Sequence, residues 1–257
     1  MKYFFIVPIL LSALFTQAQT ADEIVNKSIV ARGGLDKIKA IQTVRLTSKI
    51  TLGQSMEGKL IVDLKRPGKL REEVSMNGGT MIRTTDGSSG WSLNQFAGQD
   101  AAVPISADEM TTMEQKADFD RPLVDYKAKG NQIELLGKEK INEKDAYKLK
   151  ITLKGGAVRY DYIDPDNFHE IAWEGRIITQ GKEVNAKSWF SDYRDVNGVQ
   201  FPFHIESETE GLPGRQVIVF EKIEANVPLD DSLFTKPSLP APVKPSEPAP
   251  AAQSGQE

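Results

Sequence analysis

Residues 144–164, KDAYKLKITLKGGAVRYDYID, place Tyr147, Leu149, Ile151 and Leu153 on one side and Lys148, Lys150, Thr152 and Lys154 on the other. A period of two predicts a strand with one buried and one wet face. Gly155-Gly156 predicts a two-residue hairpin turn, because glycine takes the positive φ that such a turn needs. The resulting register opposes Ile151 to Tyr160, Leu149 to Tyr162 and Leu153 to Val158 on the apolar side. On the wet side it opposes Lys150 to Asp161, a pair worth a few tenths of a kcal/mol. One amphipathic hairpin is not stable alone, and the same alternation recurs. Val44, Leu46 and Ile50 alternate with Arg45, Thr47 and Lys49, and Leu60, Val62 and Leu64 alternate with Lys59, Asp63 and Lys65. Further strand segments fall at 69–76, 80–85, 91–93, 131–141, 168–178, 183–194, 199–207 and 215–225. Turn signals stand between them, among them Pro67-Gly68, Asp86-Gly87, Asp164-Pro165-Asp166-Asn167, Asn197-Gly198 and Leu212-Pro213-Gly214. The short connections make the sheet antiparallel, with about ten or eleven strands.

Two segments follow the helical period instead. In residues 21–32, Ile24, Val25, Ser28 and Ile29 share a stripe, and Gly33-Gly34 ends the helix. A short helical piece follows at 35–41. Ser106 and Glu109 form a capping box for a helix near 107–118, with Met110, Met113 and Ala117 at helical spacing. The predicted fold is therefore mainly β (α+β). It is a curved antiparallel sheet with an N-terminal helix and a helical lid over its concave face. Such a face is a plain core if its own side chains fill it, and a ligand cavity if separate helices cover it. The two methionines suit an adaptable surface and suit core filling equally.

Composition sharpens this picture. Residues 1–18 read as a secretory signal, with Lys2, an apolar run from Tyr3 to Phe15 and small-residue cleavage near Ala18. The chain contains no cysteine, which excludes disulfides, thiol catalysis, cysteine metal sites and a lipid-anchored cysteine. From residue 237 the last 21 residues hold six prolines and read as an extended, disordered tail. The domain expected between them runs over 19–236. The formal net charge of −4, without a basic block, argues against nucleic acid as a partner.

Candidate chemistry is sparse. His169 and His204 are the only histidines; His204, between aromatic residues on a strand, reads as structural or partly exposed, and His169 can pair locally with Glu170. No strained nucleophile turn is present. Asp161, Asp164 and Asp166 lack the glycine and glutamate of a calcium loop. The double glycines at 33–34, 78–79 and 155–156 read as caps and turns, not phosphate cradles. The expectation is a protein without catalytic residues, metal or cofactor.

The order of several motifs resembles the periplasmic outer-membrane lipoprotein carrier family, LolA-like, within the LolA/LolB/RseB-type half-barrels. An amphipathic helix follows the signal segment. Gly58-Lys-Leu60-Ile-Val62 leads to Lys65-Arg66-Pro67, then Thr85-Asp86-Gly87 precedes Trp91, and Leu233-Phe234-Thr235-Lys236-Pro237 ends the domain. The resemblance implies an incomplete antiparallel β-barrel, a helical lid and a cavity for acyl chains. Two extra residues separate Gly58 from Lys65-Arg66-Pro67, and an even insertion keeps the faces unchanged. The resemblance then implies that Arg66 can still occupy the place of the family arginine that hydrogen-bonds the lid across the cavity mouth, while the residues alone read Lys65-Arg66-Pro67 equally as a solvated strand end before a turn. The cavity residues expected are Val44, Leu46, Ile50, Leu60, Val62, Leu64, Trp91, Leu149, Ile151 and Tyr160, with Arg66, Met110 and Met113 as lid contacts. The implied function is a monomeric periplasmic carrier of lipid or lipoprotein acyl chains toward the outer membrane. Its partners would be inner- and outer-membrane lipoprotein transfer proteins. The alternative is an envelope interaction or stress-sensor module built on the same half-barrel.

Overall fold

The computed structural model describes residues 19–53, 55–179 and 181–238. The signal segment and residues 239–257 of the proline-rich tail lie outside the described residues, and Pro237 is buried against the domain.

Helices α1 (Ala21–Ala31) and α2 (Leu35–Ala40) precede β1 (Thr43–Leu52), β2 (Met56–Lys65), β3 (Lys69–Met76), β4 (Gly79–Thr85), β5 (Gly90–Asn94) and β6 (Val103–Pro104). Helix α3 (Ala107–Ala117) follows. Then come β7 (Gln132–Ile141), β8 (Lys144–Thr152), β9 (Val158–Ile163), β10 (Glu170–Thr179), β11 (Lys182–Val196), β12 (Val199–Thr209) and β13 (Gln216–Ala225). All thirteen strands form one antiparallel sheet in the order β6-β5-β4-β3-β2-β1-β13-β12-β11-β10-β9-β8-β7. The count exceeds the expected ten or eleven partly because β6 is two residues long, too short to show a period.

This order fixes the architecture. The last strand inserts between β1 and β12, so β6 and β7 are left as the two open edges of an incomplete barrel. The chain from β6 to β7 must cross from one edge to the other. It does so through α3 and residues 118–130, and this crossing is the lid. Helix α1 buries Ile24 and Val25 against Leu149, Ile151 and Ile163, and α2 buries Ile38 beside Val44, Leu64 and Leu70. Gly33, at φ +122°, lets the α1–α2 corner touch the Asn197-Gly198 turn, where a Cβ would stand 2.2 Å from the Gly198 carbonyl oxygen.

The 144–164 hairpin is displaced by one residue from its expected register. Leu153 and Ala157 close a three-residue loop, with the Leu153 amide donating to the Ala157 carbonyl at 2.9 Å. Of the two glycines only Gly156 has positive φ, as a three-residue turn with one left-handed position requires. Leu149 therefore opposes Asp161, Ile151 opposes Arg159 and Thr152 opposes Val158. A slip of one residue exchanges faces. Tyr160 and Tyr162 move to the outer face beside Lys150 and Lys148, where Tyr162 is buried with Ile141, Ala146 and Ala172, while Arg159 and Asp161 turn inward. The expected Lys150–Asp161 pair does not form, and Lys150 pairs with Glu134 at 2.8 Å instead.

Ser106 accepts from the Glu109 amide and Glu109 accepts from the Ser106 amide, so the capping box of α3 is complete. Ser106→Ala is expected to cost about 1 kcal/mol and to raise amide exchange in the first turn of α3. Unchanged exchange there would show that packing alone fixes the lid.

Candidate functional site

Between the sheet and the lid lies a cavity of about 430 Å³, within the usual range for small-molecule sites. One end is apolar. Leu46 on β1, Leu60, Val62 and Leu64 on β2, Leu70 on β3, and Ile218 and Phe220 on β13 line it. They converge because β1, β2 and β13 pair so that Leu46 opposes both Val62 and Ile223, and Ser48 opposes both Leu60 and Phe220. A bulge on β13 at Glu221 keeps Phe220 and Ile218 inward. Phe119, Leu123 and Val124 of the lid crossing face them.

The other end is charged. Arg32, Arg121, Arg159, Glu170, His169, Trp173 and Tyr193 line it. Arg159 donates to Asp161 at 2.6 Å and to Glu170 at 3.2 Å, and lies over the Trp173 ring at 4.8 Å. Arg121 pairs with Glu170 at 3.2 Å and lies over Phe190 at 4.5 Å. The Tyr193 hydroxyl donates to the Glu170 carbonyl at 2.6 Å, and the His169 ring packs edge-on against Tyr193. Burial pushes the Asp161 carboxyl up to about 7, which the Arg159 charge opposes and the Glu170 charge reinforces. Burial and the neighbouring Arg121 charge push Arg32 down to about 10. A second inward carboxylate, Glu72, opposes Val62 and meets Lys116 of α3 at 2.8 Å. Burial would raise its pKa, but the Lys116 and Arg83 charges outweigh burial and hold it below the usual value.

Two arginines hold the lid crossing shut. Arg66 lies at the end of β2 on the inner face. Its Nε donates to the Ile41 carbonyl at 2.8 Å, and its terminal nitrogens donate to both carboxylate oxygens of Asp120, one of them at 2.9 Å. It also lies over the Phe119 ring at 4.3 Å. Arg32 donates to the Phe119 and Asp120 carbonyls at 2.6 and 2.7 Å. Lys39 adds a 2.7 Å bond to Asp120. Burial opposes ionisation of Asp120, but the Arg66 and Lys39 bonds hold its carboxyl down at about 2.

The expected cavity residues divide accordingly. Leu46, Leu60, Val62 and Leu64 line the cavity. Val44, Ile50, Leu149 and Ile151 are buried in the core, Val44 beneath α2 and Leu149 and Ile151 beneath α1. Tyr160 is outward, for the register reason given above. Trp91 is outward too. It opposes Thr84, whose hydroxyl donates to the Thr235 carbonyl at 3.0 Å, and Lys236 lies over its ring at 5.0 Å. At this end of the sheet the convex face is also covered, by the turn Asp231–Phe234, so bulk does not report the cavity side. Arg66 contacts Phe119 and Asp120 rather than the methionines. Met113 is buried among Leu64 and Leu70, and Met110 accepts from the Thr85 hydroxyl. His204 lies 3.4 Å from Glu206 on β12. Asp164 caps its own turn by accepting from the Asp166 amide at 2.8 Å.

A sheet curled into an incomplete barrel under a helical lid is the LolA-like half-barrel, and known structures share it. A LolA superfamily protein from Nitrosomonas europaea superposes with a TM-score of 0.54 at 17% identity, over 85% of this chain and 99% of that one. A DUF1329 family protein from Desulfovibrio piger gives 0.53 at 15% identity, over 82% and 95%. A putative outer membrane lipoprotein-sorting protein domain from Vibrio parahaemolyticus gives 0.51 at 11% identity, over 83% and 95%. The family profile that matches residues 110–241 is described as "-like: Uncharacterized protein", and the chain belongs to that family. No curated protein matches the sequence. Among the described residues no helix is long and apolar enough to cross a membrane.

Proposed function

We propose that the protein is a periplasmic carrier that holds the acyl chains of a lipid or lipoprotein for transfer toward the outer membrane. It acts by binding, without catalysis. The observation that carries this reading is the apolar end of the cavity, roofed by a lid fixed through discrete polar contacts. The driving force is burial of chain CH₂ groups at about 0.8 kcal/mol each. Opening the Arg66 and Arg32 contacts exposes the cavity. Closing them offers Leu46, Val62 and Phe220 the lid's own Phe119 and Val124 in place of the ligand. The likeness to a putative lipoprotein-sorting domain supports the same reading.

Purified protein is expected to carry long-chain lipid, or to take it up, in native mass spectrometry. The same lipid should displace a hydrophobic dye. A protein empty in the first experiment and indifferent to lipid in the second would overturn the carrier reading. A co-purifying protein without lipid would favour an interaction or sensor module.

A further inference from the structure

Three arginines from three separate elements meet at one end of the cavity, Arg32 after α1, Arg121 in the lid crossing and Arg159 on β9. Their immediate carboxylate partners are Glu170 and Asp161, because Asp120 is engaged by Arg66 and Lys39. Three cations against two carboxyl groups leave positive charge in excess even when both carboxyls are ionised. A guanidinium carries five N–H donors. Among the described residues, protein acceptors take two donors of Arg32 and two of Arg159, and one terminal nitrogen of Arg121 meets Glu170 at 3.2 Å. Burying an uncompensated charge is costly unless something of opposite sign meets it. The stacking of Arg121 on Phe190 and of Arg159 on Trp173 fixes the planes of two guanidiniums without using their donors.

We infer that this end of the cavity is a head-group site for the oxyanion of a single-chain anionic amphiphile. The oxyanion would sit among Arg32, Arg121 and Arg159, with the chain running toward Leu60, Val62 and Phe220. The inference rests on the lipid-binding reading and narrows it from acyl chains in general to chains with a carboxylate or phosphate head. Forked guanidinium donors match the two oxygens of either group. Protonation of Asp161, whose carboxyl burial pushes upward, enlarges the positive excess, so anion binding should strengthen as pH falls from 8 to 6. That trend holds for a head that stays ionised over this range. Arg32, Arg121, Arg159, Glu170, His169 and Tyr193 all face this region, and burial lowers the pKa of His169, so Asp161 is the group that carries the trend.

The test compares three ligands that share a sixteen-carbon chain by dye displacement at fixed pH and salt: palmitate, hexadecyl phosphate and uncharged monopalmitin. Wild type should bind at least one of the anions about tenfold or more tighter than monopalmitin, the difference expected from one charge-assisted contact. Arg121→Gln should shrink that ratio several-fold, Arg121→Lys should retain part of it, and monopalmitin affinity should hardly move. The better of the two anions identifies the head. Equal wild-type affinities for anion and neutral ligand would overturn the head-group site while leaving the carrier reading intact. A ratio unchanged in Arg121→Gln would likewise overturn it. Binding of none of the three would overturn both. Should Arg121→Gln fail to fold, Arg121→Gln/Glu170→Gln removes the paired carboxylate with it, and the wild-type ratio still decides.

Discussion

Replacing Arg66 by leucine is expected to release the lid crossing while leaving the barrel folded. In wild type this side chain joins the end of β2 to two other pieces of chain: the carbonyl at the end of α2 and the carboxylate of Asp120 just beyond α3. Breaking a buried ion pair costs about 3–5 kcal/mol because the remaining partner is left uncompensated. Asp120 keeps Lys39, and Arg32 still holds the neighbouring carbonyls, so about 2–3 kcal/mol is the more appropriate loss. At 1.4 kcal/mol per tenfold, amide exchange across 107–125 should accelerate roughly thirty- to a hundred-fold. Exchange in the centres of β1 and β2 should stay as in wild type. Arg66→Lys should recover little, since one ammonium cannot serve Asp120 and the Ile41 carbonyl together. Hydrogen exchange with mass detection measures this directly. Uniform acceleration across the sheet would mean that Arg66 supports the barrel itself, and no acceleration anywhere would remove it from the lid.

The sheet was legible in the chain because most strands bury one face, and a period of two shows that face without any further information. The apolar end of the cavity was legible for the same reason, through Leu46, Leu60, Val62 and Leu64. The charged end was hidden by one turn. With a two-residue turn at Gly155-Gly156, Arg159 and Asp161 point to water. With the three-residue loop they point inward beside Leu149 and Ile151. The local pattern is ambiguous here because Tyr160 and Tyr162 are also apolar, so either parity of β9 offers a plausible buried face. A different signal was available for Glu72. It shares parity with Leu70 and Val74 on β3, which places a carboxylate on the inner face, where Lys116 meets it. Asp120, Arg121 and Arg32 stand on no strand. Their convergence depends on the crossing from β6 to β7, a contact over 88 residues of sequence separation between Arg32 and Asp120 that no local period encodes. Trp91 shows the converse limit, because a strand covered on both sides gives bulk no directional meaning.

Asp161→Asn is expected to stabilise the protein at pH 8 relative to its effect at pH 5. The Asp161 carboxyl is fully buried, and one of its oxygens has no hydrogen-bond partner among the described residues. Burial raises its pKa from 3.8 to about 7, Arg159 pulls it back and Glu170 pushes it further, with Arg121 beyond. The folded protein therefore keeps this proton until about pH 7, while the unfolded chain releases it near pH 4. Between those values the folded state binds more protons, so the contribution of Asp161 to stability falls as pH rises. That contribution is fully present below pH 4 and fully lost above 7. A carboxyl raised from 3.8 to about 7 corresponds to a contribution on the order of a few kcal/mol that is lost between those pH values. Asparagine keeps an acceptor for Arg159 and cannot ionise, so its fixed packing and hydrogen-bonding cost is the same at both pH values. Chemical denaturation of both proteins at pH 5 and pH 8 isolates the titrating part, because the fixed cost cancels in the difference. A variant-minus-wild-type stability identical at the two values would show that Asp161 is ionised throughout, stabilised fully by Arg159. In that case the arginine cluster carries less net positive charge below pH 7 than the raised carboxyl implies.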